Sequence, residues 1–239
     1  MKIFSREPDT WKELQDFVSQ IFKECAFETE VSKVVNLVRG KKEIDVYTED
    51  NSSDYKLVIL VECKYWNAPI NQEVIHAFRT VINDLGANIG YIVSKNGFQS
   101  GCYEAVEKTN IKLVSLKELE EIYHLKWRGE MVKKYSPYSK PLLPYWLCSS
   151  SPGKTANGKV VDFNTQLLLS RAYSPVCDLA LRDYFEEGIV KYPFSIPVIN
   201  DNLEPTGVLE IKNDREYFDF CEKNKELALR HHKILFEEI

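Results

Sequence analysis

No apolar run in the 239 residues approaches the roughly 20 residues needed to cross a bilayer, and the opening Met1-Lys2-Ile3-Phe4-Ser5-Arg6-Glu7 lacks the apolar stretch of a signal peptide. The expectation is a cytoplasmic protein with no membrane partner. C-x-x-C spacing is missing as well. The six cysteines, at 25, 63, 102, 148, 177 and 221, suggest neither a zinc site nor a disulfide framework and read as small buried hydrophobes in a reducing compartment. There is no excess of positive charge: the formal net charge is −5, so the surface is not basic throughout and any nucleic-acid contact must come from a local patch. The composition of a disordered chain is absent too, since 44% hydrophobic and 28% charged residues are ordinary for a globular protein. No internal repeat is evident, and the length allows one large domain or two small ones with proper cores.

What stands out is Lys56-Leu57-Val58-Ile59-Leu60-Val61-Glu62-Cys63-Lys64. The consecutive aliphatic residues Leu57 to Val61 predict a strand buried on both faces, and the run ends in two opposite charges. Strand alternation points Glu62 and Lys64 to one face and Val61 and Cys63 to the other. Upstream, Glu43-Ile44-Asp45-Val46-Tyr47-Thr48 alternates apolar and polar residues and predicts the antiparallel neighbour, with residues 49–54 as the turn. That pairing puts Asp45 beside Glu62. Adjacent carboxylates repel unless a cation lies between them, and oxygen ligation suits Mg²⁺ or Mn²⁺. The residue types form a phosphodiesterase site in outline, although an ordinary ion pair at a strand end also produces an E-x-K triplet.

The order helix, strand, Asp45 strand, Glu62-Cys63-Lys64 strand, helix, strand resembles the PD-(D/E)xK nuclease superfamily, most closely its Mrr-like restriction endonuclease branch. The resemblance covers roughly residues 10 to 123. It rests on Gly40-Lys41-Lys42-Glu43-Ile44-Asp45, on Val61-Glu62-Cys63-Lys64-Tyr65-Trp66, and on Gly90-Tyr91-Ile92-Val93-Ser94-Lys95-Asn96-Gly97-Phe98. It implies an α/β fold with a restriction-endonuclease-like core, a central mixed sheet flanked by helices. It also implies Asp45, Glu62 and Lys64 as catalytic residues, and a divalent metal held by Asp45, Glu62 and the backbone carbonyl of Cys63, with Lys64 supporting the attacking water. DNA is the implied partner and defence against foreign DNA the implied role. Mrr-like proteins often carry a glutamate on the first helix, and the corresponding position here is Gln15, with Glu13 as a nearby substitute. A weakened or single-metal site, or a non-cleaving DNA-binding or regulatory module, follows from that departure; a repair or junction nuclease is a further alternative.

The flanking segments supply candidates of lower specificity. Trp11, Leu14, Phe17, Val18, Ile21 and Phe22 predict an amphipathic helix capped by Asp9-Thr10. Residues 27–38 predict a strand or hairpin. Lys41 and Lys42 precede the first acid, where phosphates would pass, and a solvated turn explains them equally. A helix after Asn71 predicts Val74, Ile75, Phe78, Val81, Ile82 and Leu85 inward and Gln72, His76, Arg79 and Thr80 outward. On that reading Gln72 supports the site and Arg79 contacts DNA. Lys95, in the loop after the next strand, is a candidate phosphate contact. Residues 101–109 predict a helix and Leu116 to Tyr123 a closing one, completing a nuclease domain over 1–124. Residues 125–158 read as a basic and aromatic linker whose Lys133 and Lys134 either track DNA or merely border a solvated tether.

An α-rich C-terminal domain over 159–239 is expected, with a helix from Ser174-Pro175, a strand Val208-Ile211 and a final helix from Asp214. His231-His232 reads as a charge pair near that helix's end. This region is the candidate surface for an effector or partner protein. Because cutting both strands takes two active sites or two visits, the chemistry points to a homodimer.

Overall fold

Thr10 begins the first element: its extended backbone lets the hydroxyl accept a hydrogen bond from the Glu13 amide, and helix α1, Trp11–Glu24, follows. Leu14, Val18, Ile21 and Phe22 recur on one face of α1, and all are buried. The computed structural model describes residues 3–38, 40–52, 54–146, 161–180 and 190–236.

Residues 27–38 form one strand rather than a hairpin, β1 (Glu28–Leu37), antiparallel to β2 (Gly40–Asp50), with Gly40 at φ +101° as the chain turns back. Strand β3, Leu57–Lys64, pairs antiparallel with β2. Strands β4 (Ile89–Ser94) and β5 (Ile111–Val114) add in parallel, giving a five-stranded mixed sheet in the order β1-β2-β3-β4-β5. A parallel step needs a crossover, which α2, Gln72–Leu85, provides. Asn71 caps its start and Gly86, at φ 61°, its end.

The inward stripe of α2, Ile75, Phe78, Val81 and Ile82, packs on Ile44, Leu60, Ile92 and Ile111 of the sheet. Gly90 permits that approach, since a Cβ there would come within 2.7 Å of Ile82 Cδ1 and 2.8 Å of Phe78 Cε1. Helix α3, Ser100–Val106, is shorter than the helix expected over 101–109. Across the sheet, Tyr123 of the next helix meets the rings of Phe22, Phe27 and Tyr91.

That helix, α4, differs most from expectation. It runs Leu116–Ser139 instead of closing at Tyr123, so the stretch expected to be a linker is helical. The cause is a ladder at spacing four, Leu119, Tyr123, Trp127, Met131 and Tyr135, every member of which is buried. Trp127 also donates to Glu24 Oε2 at 2.6 Å, and Tyr135 to Glu222 Oε2 at 2.6 Å. The basic residues occupy the rest of the helix surface. The chain divides into two compact units, Met1–Glu130 and Met131–Ile239, so the break falls within α4 and not at 124/125. Residues 147–158 of the expected linker lie outside the described residues.

The second unit continues with a short 3₁₀ turn Lys140–Leu142 and helices α5 (Leu143–Trp146), α6 (Phe163–Ala172) and α7 (Ser174–Cys177). A hairpin of β6 (Phe194–Ile199) and β7 (Pro205–Ile211) precedes α8, Asp214–Leu235. Of the helix expected from Ser174, the described residues show one α-helical turn, Ser174–Cys177, and residues 181–189 lie outside them. His231 and His232 are not a solvated charge pair. Both are buried: His231 Nδ1 lies 2.8 Å from Tyr173 Oη, and His232 Nδ1 pairs with the Ala228 carbonyl at 2.7 Å. Burial lowers the His232 pKa. The cysteines at 25, 63, 102, 177 and 221 are free and buried, as expected of small hydrophobes; Cys148 lies outside the described residues.

Candidate active site

The antiparallel register sets Val46 opposite Val61, so Asp45 and Glu62 follow as the next residues at the same end of β2 and β3. The Cys63 amide, free of β2 at this point, donates to Asp45 Oδ2 at 2.7 Å and fixes that carboxylate against β3. Alternation along β3 puts Glu62 and Lys64 together: Lys64 Nζ is 2.5 Å from Glu62 Oε1. Cys63 faces away into the core with no exposure, and burial pushes its thiol pKa well up.

Electrostatically the cluster is strained. Burial, then the charge of Glu62, raises Asp45 from 3.8 to about 6 against the opposing pull of the Cys63 amide, Lys64 and Lys42. Glu62 is 7% exposed, and its second oxygen, Oε2, is buried with no hydrogen-bond partner among the described residues. A buried carboxylate oxygen without a donor is costly and suits a cation. Lys42 also reaches the site, its Nζ 3.9 Å from Glu62 Oε1. Among the described residues there is no group of three or more His, Cys, Asp or Glu able to hold a metal, so the acidic donors here number two, Asp45 and Glu62.

Two neutral side chains of α1 brace the strands. Gln15, fully buried, donates from Nε2 to the Asp45 carbonyl at 2.8 Å and accepts at Oε1 from Lys12 Nζ at 2.8 Å. The position thus holds the backbone of the first acid and brings no charge. Trp11 Nε1 donates to the Cys63 carbonyl at 3.0 Å, so one lone pair of the carbonyl expected as a metal ligand is engaged by an indole. Trp11 entered the sequence reading only as an apolar helix residue. Its role could be found only from its proximity to a residue 52 positions away.

Other candidates lie elsewhere. Glu13 forms an ion pair with Arg6 at 2.7 Å and accepts from the Asp9 amide, so its carboxylate is committed at the start of α1. Gln72 Nε2 donates to the Gly101 carbonyl at 2.6 Å, and Arg79 donates to the Ala105 carbonyl; both tie α2 to α3 instead of facing the acids. Lys95 Nζ sits 4.0 Å from the centroid of the Tyr65 ring. Lys41 is exposed on β2. Lys133 and Lys134 are exposed on α4 in the second unit, where Lys134 pairs with Glu222 at 3.4 Å.

A mixed sheet with helices on both faces carries two acids and a lysine at the end of an antiparallel strand pair, the arrangement that the resemblance to PD-(D/E)xK nucleases implies. Residues 9–123 match the family model Mrr_cat, restriction endonuclease. Three solved structures are similar over about half of the chain. A protein of unknown function, AF1548, is 17% identical with TM-score 0.39, covering 54% of this chain and 86% of its own. The DNA modification-dependent restriction endonuclease AspBHI is 12% identical with TM-score 0.32, covering 54% and 40%. MspJI restriction endonuclease, solved in complex with a 27-mer oligonucleotide, is 13% identical with TM-score 0.32, covering 52% and 29%. No curated protein matches the chain. Among the described residues no helix is long and apolar enough to cross a membrane.

Proposed function

We propose that the protein is a metal-dependent DNA endonuclease of a cytoplasmic restriction or defence system, with Asp45, Glu62 and Lys64 as its catalytic residues. The observation that carries this reading is the buried, unpartnered Oε2 of Glu62 beside an Asp45 whose pKa is raised, with Lys64 on the other oxygen. Asp45 and Glu62 would hold Mg²⁺ or Mn²⁺. Bound there, the ion would lower the pKa of water and neutralise charge on the scissile phosphate. Lys64 Nζ, a donor already fixed at the acids, orients the attacking water and counters the phosphate's charge. Lys42, 43% exposed at the side chain, draws the backbone of the substrate toward Glu62. The second unit is proposed as the surface for an effector or partner, and the protein as a homodimer when it cuts both strands.

The test is incubation with plasmid, linear and single-stranded DNA in Mg²⁺, Mn²⁺ and EDTA. Cleavage should need the metal, and should vanish in Asp45→Ala and Lys64→Ala while both variants stay folded. No metal-dependent cleavage by the wild type, with Asp45→Ala indistinguishable from it, would leave the second reading, a DNA-binding or regulatory module. Gln15, which adds no acid to the cluster, is the observation in favour of that alternative.

A further inference from the structure

Beside Glu62 and Lys64 lies a cavity of about 500 Å³. Its two ends differ. Glu62, Lys64 and Lys42 form the charged end. The remaining wall is almost wholly apolar, built from Leu37 at the end of β1, the Val74, Ala77, Phe78 and Val81 stripe of α2, and the Trp66 ring. Trp66 is 46% exposed, and Lys64 Nζ lies 5.6 Å from its ring centroid. Its backbone is fixed, since the Trp66 carbonyl accepts from Asn96 Nδ2 at 2.7 Å.

We propose that this cavity receives the base of an unpaired nucleotide next to the scissile phosphate, so that the preferred substrate is DNA with single-stranded or unpaired positions. The inference rests on the nuclease reading above and names its substrate class. A nucleotide has the same two ends as the cavity, an anionic phosphate joined to a flat, largely apolar base. Lysines meet the first and an aromatic ring with an aliphatic wall meets the second, the combination that holds single strands. The size falls within the roughly 300–1,000 Å³ usual for small-molecule sites. A base held in a duplex stack cannot enter without being unpaired, and that cost is least where it is already unpaired.

The experiment uses the full chain and oligonucleotides carrying 2-aminopurine: a single strand, a duplex with a short unpaired bubble, and a fully matched duplex. Binding and emission are read in EDTA, cleavage in Mg²⁺ or Mn²⁺. The unpaired forms should bind more tightly and be cut faster than the matched duplex, with a change in 2-aminopurine emission on binding. Trp66→Ala should weaken the unpaired forms by roughly 5- to 100-fold, the loss of one stacking contact. Ala77→Phe, at an exposed position on the cavity wall, should fill the cavity and remove the preference and the emission change. Equal handling of paired and unpaired DNA, or an unpaired preference that both variants retain, overturns the pocket assignment and leaves the nuclease standing. Failure to bind or cut DNA in any form overturns both.

Discussion

Replacing Asp45 by Asn should make the metal-free protein more stable while removing the proposed cleavage activity. Asn is nearly the same shape, and its Oδ1 can keep the hydrogen bond from the Cys63 amide that Asp45 Oδ2 now accepts at 2.7 Å. What changes is the charge. Asp45 titrates at about 6 in the fold against 3.8 in its ordinary state. Because the folded value is the higher, the folded state binds the proton more tightly; the group's favourable contribution is complete below about 4 and is lost as the pH rises through 6. At 1.36 kcal/mol per pH unit the ionised carboxylate costs about 3 kcal/mol at neutral pH. The variant should recover most of that, about 1–2 M in the urea midpoint for a domain of this size. The assay is urea unfolding in EDTA at pH 8 and at pH 4, followed by tryptophan fluorescence. A gain at pH 8 that disappears at pH 4 is expected, together with loss of Mg²⁺-induced stabilisation. An equal gain at both pH values, or none at pH 8, would show that burial and the Glu62 charge do not strain Asp45.

Asp178, raised by burial to about 6, should behave alike in the second unit. Asp178→Asn is expected to stabilise that unit by up to about 3 kcal/mol above pH 6 and to be neutral at pH 4, read by the same titration. Gly90→Ala should destabilise the first unit by about 1–3 kcal/mol, because the added methyl meets Ile82 and Phe78 of the core; a neutral effect in urea would mean that α2 shifts freely. If the basic face of α4 tracks DNA, Lys133→Ala with Lys134→Ala should reduce the salt dependence of binding by about one unit per lost phosphate contact, and an unchanged slope would assign that face to helix surface alone.

The strand that carries Glu62 and Lys64 is legible because two independent patterns coincide in it. An unbroken aliphatic run marked Leu57–Val61 as interior strand, and alternation then decided which way Glu62, Cys63 and Lys64 point. The same reasoning brought in Asp45, since an alternating segment joined by a short turn has one natural partner. The length of α4 was equally available in the spacing of Leu119, Tyr123, Trp127, Met131 and Tyr135, but the basic residues between them drew the reading toward a linker. Periodicity is the stronger signal here, because burial of a face and not overall composition keeps a helix together. The buried histidines were less accessible. Successive positions on a helix face different directions, yet Tyr173 lies against both rings and Tyr145 against His232. Gln72 and Arg79 followed the outward face of α2 as expected, and only the packing of α3 gave their side chains carbonyl partners.

The bracing of the site by neutral groups bears on how its charge is set. Asp45 and Glu62 are offset by Lys64 and Lys42, so the metal-free cluster is close to neutral despite its raised carboxylate. A glutamate at position 15, as the resemblance implies for related domains, would tip the balance negative, and a phosphodiester would then approach against a net repulsion until a cation arrived. Gln15 removes that repulsion and spends its amide on the Asp45 carbonyl, while Trp11 does the same for the carbonyl of Cys63. Both donors act on backbone, and so they position the acids without competing for them. The Glu62 Oε2 atom has no donor among the described residues, and Glu62 and Lys64 both line the cavity. On the proposed nuclease reading, a site whose lysines offset its acids and whose backbone is held by uncharged groups accepts the nucleic-acid backbone before a cation is bound, which would place substrate binding and metal loading under separate residues.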